Sequence, residues 1–179
     1  VVGGCCGTSP DYIARIRALV STRVPMPPQG RDAHAFAVCS AQKTLVMQAG
    51  KPYANIIGER INPTGKKRLK EALRSGDFDY AVGEALDQAE LGADALDVNV
   101  GLPELDEPRV LVEVMERIQA VCDLPLQIDS SDPEAVRRAV RRYAGKALIN
   151  SVNGKAESLE AVLPIAAHYG CAVVGLTLD

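Results

Sequence analysis

The chain has no surplus of basic residues: 20 Lys and Arg stand against 23 Asp and Glu, a formal net charge of −3. A polyanion binder neutralises phosphates with cations, so a nucleic-acid partner is not expected. No apolar run is long enough to span a bilayer, and no membrane association is expected. No basic segment precedes an apolar one near Val1-Val2-Gly3, so no signal peptide is read there. The chain also lacks an initiator Met, and the expectation is that its natural start lies further upstream. The five cysteines form an odd, irregularly spaced set, which argues against a disulfide framework. Cys5 and Cys6 are adjacent and make poor partners for each other, because disulfide geometry is strained between neighbours. A reducing cytoplasm is the simplest location.

What is present is a globular composition, 47% hydrophobic over 179 residues, enough for one domain with a sizeable core. Ser9-Pro10-Asp11 opens a helix, with Ser9 able to cap and Pro10 at the first helical position. That helix runs to about Val20, and Ile13, Ile16, Leu19 and Val20 form its expected buried face. Val24-Pro25-Met26-Pro27-Pro28-Gln29-Gly30 then marks a linker or boundary. Residues 34–49 read as a short hairpin or an extended arm.

From Asn55 onward, strand and helix alternate. Strands are expected at 55–60, 95–100, 126–129, 147–150 and 172–177. Helices are expected at about 65–74, 77–91, 108–122, from Asp132-Pro133-Glu134 onward, and at 156–169. Short apolar strands joined by helices imply a parallel sheet buried on both faces. A doubly wound sheet and a (β/α)8 barrel both fit that alternation. No GxGxxG follows the first strand, which weighs against a dinucleotide fold. Glu59, Asn62, Asp97, Asn99, Asp129 and Asn150 all fall at or just past strand C-terminal ends, where barrel active sites are built. The expected fold class is therefore α/β, a partial (β/α)8 TIM barrel. Five βα units leave open sheet edges that intact barrels avoid, so a longer natural protein is expected. The expected domain order is residues 1–22, a linker over 23–54, and the barrel portion over 55–179.

Several of these residues suit ligand chemistry. Asp129 at the end of a buried strand is costly unless it is paired or faces a polar ligand. A carboxylate can accept two parallel hydrogen bonds from an amidine-like ring edge, such as a pterin offers, and Asn150 can donate and accept. The alternative is that Asp129 helps cap the following helix through Ser130-Ser131-Asp132. Asp97 and Asn99 flank Val98 and share the inner face by alternation; the alternative is an internal network supporting the strand ends. Asn62 and Thr64 are ordinary turn residues in the polar loop after Glu59-Arg60. Gly3-Gly4-Cys5-Cys6-Gly7-Thr8 places two thiols on a flexible turn, able to give zinc two ligands but not a complete set. Cys122 and Cys171 read as buried structural thiols, and His34 and His168 as incidental. Arg137, Arg138, Arg141 and Arg142 read as a solvated helix face.

Ile56-Ile57-Gly58-Glu59-Arg60-Ile61-Asn62-Pro63-Thr64-Gly65 resembles the opening strand and loop of the pterin-binding methyltransferase barrels. Leu96-Asp97-Val98-Asn99-Val100-Gly101, Gln127-Ile128-Asp129-Ser130-Ser131 and Ala147-Leu148-Ile149-Asn150-Ser151 resemble the next three strands of that family. Dihydropteroate synthase is similar more distantly, through the Asp of strand three and the Asn of strand four. Gly3-Gly4-Cys5-Cys6-Gly7-Thr8 resembles the last strand of a homocysteine-binding barrel, and the two motifs together resemble the cobalamin-dependent methionine synthase family.

The resemblance implies that Asp129 and Asn150 bond the pterin of 5-methyltetrahydrofolate, with Asn62, Asp97, Asn99 and Glu59 lining or supporting that site. It implies zinc on Cys5 and Cys6, holding homocysteine as a thiolate. It also implies a methyl passed from 5-methyltetrahydrofolate to cob(I)alamin and on to homocysteine, with cobalamin carried by a separate cobalamin-binding domain. An upstream zinc cysteine, three barrel strands and a cobalamin-binding sequence of that family are not found here, so this polypeptide alone is expected to be inactive. Two other readings share the same barrel: a corrinoid-dependent methyltetrahydrofolate methyltransferase of one-carbon metabolism, and a pterin-binding module without chemistry.

Overall fold

The computed structural model describes residues 2–25 and 35–178. The chain divides into two compact units, Val1–Arg31 and Asp32–Asp179. Most of the Pro-rich boundary and His34 lie outside the described residues.

The first unit holds one helix, α1 (Pro10–Val20), entered from an extended Ser9. Ahead of it the chain turns tightly. Thr8 N donates to Cys5 O (3.0 Å) and Cys5 N donates to Thr8 Oγ1 (2.8 Å), with Gly7 at φ 82°. The apolar stripe is not buried as expected from its periodicity: no residue of α1 is buried, and Leu19 is 73% exposed. The reason is that the unit offers no second helix or strand to cover that stripe among the described residues.

The second unit opens with an antiparallel hairpin, β1 (Ala35–Cys39) and β2 (Thr44–Gln48), in which Val38 faces Leu45. The segment read as linker thus contains ordered structure. Five parallel strands follow: β3 (Ile57–Ile61), β4 (Ala95–Val98), β5 (Leu126–Asp129), β6 (Leu148–Val152) and β7 (Ala172–Gly175). The helices between them are α2 (Lys67–Ser75), α3 (Asp79–Glu90), α4 (Glu107–Gln119), α5 (Pro133–Arg142) and α6 (Ala156–Tyr169). Strand order follows chain order, β3-β4-β5-β6-β7. A doubly wound sheet reverses its order at a switch point. This sheet never does, which is the arrangement of a rolling barrel wall.

Local chemistry explains the helix ends. Asp106 caps α4 by accepting from Arg109 N (3.2 Å), and Asp132 caps α5 by accepting from Glu134 N (2.9 Å). Gly76 and Gly170 end α2 and α6 in the left-handed conformation that glycine adopts without penalty. The arginines of α5 lie on the surface as expected: Arg137 and Arg138 pair with Glu134, and Arg142 pairs with Glu116. Those partners hold the Glu134 carboxyl down at about 2.

Alternation along each strand separates two apolar layers. Leu96, Val98, Ile128 and Ile149 face the helices and pack with Val114, Met115 and Ile118 of α4 and Val136 of α5. Ala95 and Leu148 point to the opposite face and pack against Val38 and Leu45 of the hairpin. The hairpin therefore floors the inner face of the sheet. Its place is fixed by backbone bonds between Cys39 and Lys146 (3.0 and 2.9 Å) and by Ser40 Oγ donating to Asp123 O (2.5 Å). At Gly145 (φ 138°) any Cβ would collide with the Cys39 carbonyl, so only glycine allows this approach.

Tyr143 ties the same joint together. Its hydroxyl accepts from Leu126 N (2.9 Å) and donates to Cys39 O (3.1 Å), and burial pushes its pKa up to about 12. Tyr143→Phe leaves a buried N–H without a partner, and a loss of about 1–3 kcal/mol is expected. A urea titration should show a lower midpoint with the slope unchanged.

Candidate functional site

Parallel strands bring all their carboxyl ends to one end of the sheet, and alternation turns the same-parity residues inward. Asp97 of β4 pairs across the ladder with Gln127 of β5, and Asp129 pairs with Asn150 of β6. The six residues expected to form a site consequently gather on the inner face at one rim, above the apolar floor laid by the hairpin.

They fall into three hydrogen-bonded sets. In the first, Asp97 is 2% exposed, and its Oδ1 accepts from Gln127 Nε2 and, at 3.5 Å, from Asn150 Nδ2. Its Oδ2 is buried with no protein partner. Burial, then the neighbouring charges of Asp129 and Glu59, push the Asp97 pKa up to about 6 against the pull of Gln127 and Asn150. In the second, Asn99 Nδ2 donates to Asp129 Oδ2 (2.9 Å) while Asn99 Oδ1 accepts from Gly101 N (2.8 Å). No protein donor among the described residues reaches the other Asp129 oxygen. In the third, Asn62 Nδ2 donates to Glu59 Oε1 (3.2 Å) and Asn62 Oδ1 accepts from Thr64 N (2.9 Å).

These contacts bear on the alternatives set out above. Asp132, not Asp129, caps α5, so the Asp129 carboxylate is free of that task. Asp97 and Asn99 do support strand ends, as an internal network would, yet the network leaves one buried oxygen unsatisfied. Such an atom costs about 1–3 kcal/mol unless a ligand or water meets it. Asn62 is consumed locally by its turn and by Glu59. A cavity of about 420 Å³ is lined by Asp129 and Asn150 of the rim together with Ser131, Asn153, Lys155 and Ser158.

Two partners escaped the reading of the sequence. Gln127 sits two residues before Asp129, so strand alternation alone could have placed it on the same face. Ser130, 5% exposed, donates to Glu107 at the start of α4, a contact between distant segments that no local pattern announces.

Cys5 and Cys6 lie in the first unit, exposed and not disulfide-bonded, with their sulfurs 3.9 Å apart. Two edge ligands of a tetrahedral zinc site with bonds of about 2.3 Å lie roughly 3.8 Å apart. The pair therefore fits half of such a site. Among the described residues no group of three His, Cys, Asp or Glu side chains could hold a metal. Cys122 is buried as expected, whereas Cys171 is only half-buried. His168 stacks edge-on against Tyr169. No helix among the described residues is long and apolar enough to cross a membrane.

Comparison with known proteins adds a family to this geometry. The methionine synthase of Mycobacterium leprae (strain TN) is 31% identical over 186 aligned residues, covering 100% of this chain and 15% of that protein. The methionine synthase of Mycobacterium tuberculosis (strain ATCC 25618 / H37Rv) is 30% identical over 184 residues, again across 100% of this chain. The chain thus spans 15% of the length of the curated relatives it matches. The crystal structure of 7,8-dihydropteroate synthase from Vibrio fischeri ES114 aligns with a TM-score of 0.58 at 23% identity, over 81% of this chain and 51% of its own. That likeness speaks to fold alone, and it identifies the sheet as part of a TIM barrel. A family model described as "Pterin binding enzyme" matches residues 58–179, the span that carries the rim and its strands. The chain belongs to the pterin-binding enzyme family.

Proposed function

We propose that the chain supplies part of the folate site of a cobalamin-dependent methionine synthase. The reaction in this reading moves the methyl group of 5-methyltetrahydrofolate to cob(I)alamin and on to zinc-bound homocysteine, giving tetrahydrofolate and methionine. The observation that carries it is the rim itself. Asp129 keeps one carboxylate oxygen open, and Asp97 keeps another buried and unmet, directly above an apolar floor. A flat heteroaromatic ring with N–H groups along one edge is the ligand such a cradle suits.

Each residue then has a task. Asp129 and Asn150 accept from and donate to the ring edge, and Asn99 holds the Asp129 carboxylate in place. Asp97, Glu59 and Asn62 complete the polar wall. The ring nitrogen keeps the electron pair of the N–CH3 bond as the methyl group is displaced, so it must take up a proton, and the acceptors of the rim serve by holding the ring in one orientation while it does. Cobalamin, held by a separate domain, supplies the methyl acceptor. Zinc on Cys5 and Cys6 supplies the positive charge that keeps a substrate thiol ionised. A cytoplasmic location accords with free thiols.

Calorimetric titration of the full-length protein with 5-methyltetrahydrofolate tests the reading, followed by methyl transfer to free cob(I)alamin. Binding and transfer are expected. Absence of binding by any pterin would overturn the folate site, whereas binding without transfer would mark a module that holds the ring without chemistry. The zinc assignment has its own test. Cys6→Ala is expected to abolish zinc retention in the full-length protein, measured by elemental analysis after dialysis. Full metal content after that change would refute it.

A further inference from the structure

Below the rim, Gln127 occupies a position where an apolar residue would pack more cheaply. It is 7% exposed, and one of its ladder neighbours is Leu148 of the apolar floor. Burying an amide there is costly unless its hydrogen bond serves a purpose. That bond goes from Gln127 Nε2 to Asp97 Oδ1. The other Asp97 oxygen is the one buried side-chain atom among the described residues without a partner. One oxygen is thus held fast and its twin is buried without a partner.

We propose that Gln127 is a positioning residue, which anchors Asp97 so that Asp97 Oδ2 is kept as an acceptor for an N–H group of the bound pterin. The proposal rests on the folate reading above and adds a residue and a deeper contact to it. A carboxylate tethered by one oxygen has lost most of its rotational freedom, so its unpaired oxygen keeps one orientation toward a donor. A carboxylate left untethered would turn toward Asn150, whose amide is only weakly engaged at 3.5 Å.

The proposal has a signature in pH. The charged and polar groups facing Asp97 are Glu59 from β3, Gln127 and Asp129 from β5, and Asn150 from β6. Glu59 and Asp129 favour the protonated acid at Asp97, while Gln127 and Asn150 favour the carboxylate. Removing the Gln127 donor must therefore raise the pH at which Asp97 becomes an acceptor. Changing it to a carboxylic acid must reverse the trend, because that acid can donate to Asp97 only while it keeps its own proton.

The experiment is calorimetric titration of the full-length protein with 5-methyltetrahydrofolate from about pH 5 to about pH 8, a range that brackets the raised Asp97 ionisation. Affinity of the unsubstituted protein should fall as pH drops through the Asp97 transition. Gln127→Met should bind about tenfold more weakly near neutrality, with its transition moved up by about one pH unit. Gln127→Glu should bind best at the acid end and lose affinity as pH rises. A merely structural glutamine would lower affinity in both variants without moving either profile. Should the methionine variant fail to fold, the glutamate variant, which keeps the same shape, carries the test. Pterin binding with three superimposable pH profiles overturns this assignment alone. No pterin binding by the unsubstituted protein overturns the folate reading and this assignment with it.

Discussion

Asp129→Ala should weaken 5-methyltetrahydrofolate binding about 100-fold in the full-length protein, because it removes a charged acceptor that no neighbour can replace. Hydrogen bonds to an ionised carboxylate contribute about 1.5–3 kcal/mol each. Loss of one full contact and weakening of a second amounts to roughly 3 kcal/mol, or two orders of magnitude in affinity. The fold should tolerate the change. Asp129 is half-buried, caps no helix, and its side chain bonds only Asn99 among the described residues. The urea midpoint is therefore expected to move little, and homocysteine handling in the same protein should be unaffected. Asp129→Asn should lose less, about tenfold, because an amide oxygen still accepts from the ring edge without the charge. Unchanged folate affinity in the alanine variant would remove Asp129 from the site.

Much of the barrel portion is legible from period and punctuation. The strands around Asp97, Asp129 and Asn150 stand where short apolar runs predict them, because both faces of each strand must be covered. The caps at Asp132 and the glycines ending α2 and α6 follow from residue chemistry alone. Two features are not legible for a common reason. The apolar face of α1 predicts burial, but periodicity states that a stripe exists without naming what covers it. The hairpin from Ala35 to Gln48 is visible only as a choice between hairpin and arm. What decides it is contact with Ala95, Leu148 and the Cys39–Lys146 bonds, all distant in sequence. At the site, alternation puts Asp97 and Asn99 on one face, yet the unmet oxygen of Asp97 emerges only when the neighbouring strands take up its other bonds.

That oxygen leads to the second large effect, an exchange of function for stability at Asp97. Its carboxyl ionises at about 6 in the folded protein against 3.8 in an unperturbed setting. The folded protein therefore holds this proton more tightly than the unfolded chain does. Between about pH 4 and about pH 6 folding takes up a proton, and stability falls as pH rises across that window. Above it the buried charge costs the fold about 3 kcal/mol, taking the full shift at 1.36 kcal/mol per unit as an order of magnitude. Asp97→Asn keeps an acceptor for Gln127 and discards the charge. The variant should be more stable than the parent by about 1–3 kcal/mol near neutrality, with the gain vanishing below about pH 4. Ion pairs elsewhere, such as those of Glu134 and Glu84, titrate alike in both proteins and cancel in the difference. The same variant should bind 5-methyltetrahydrofolate at least tenfold more weakly, since the amide cannot offer the open oxygen as a charged acceptor. Paired urea titrations at about pH 4 and about pH 8 check the first half, and calorimetry checks the second. A stability difference that does not change with pH would mean that Asp97 ionises alike in the folded and unfolded chains, and that its carboxylate carries no burial cost.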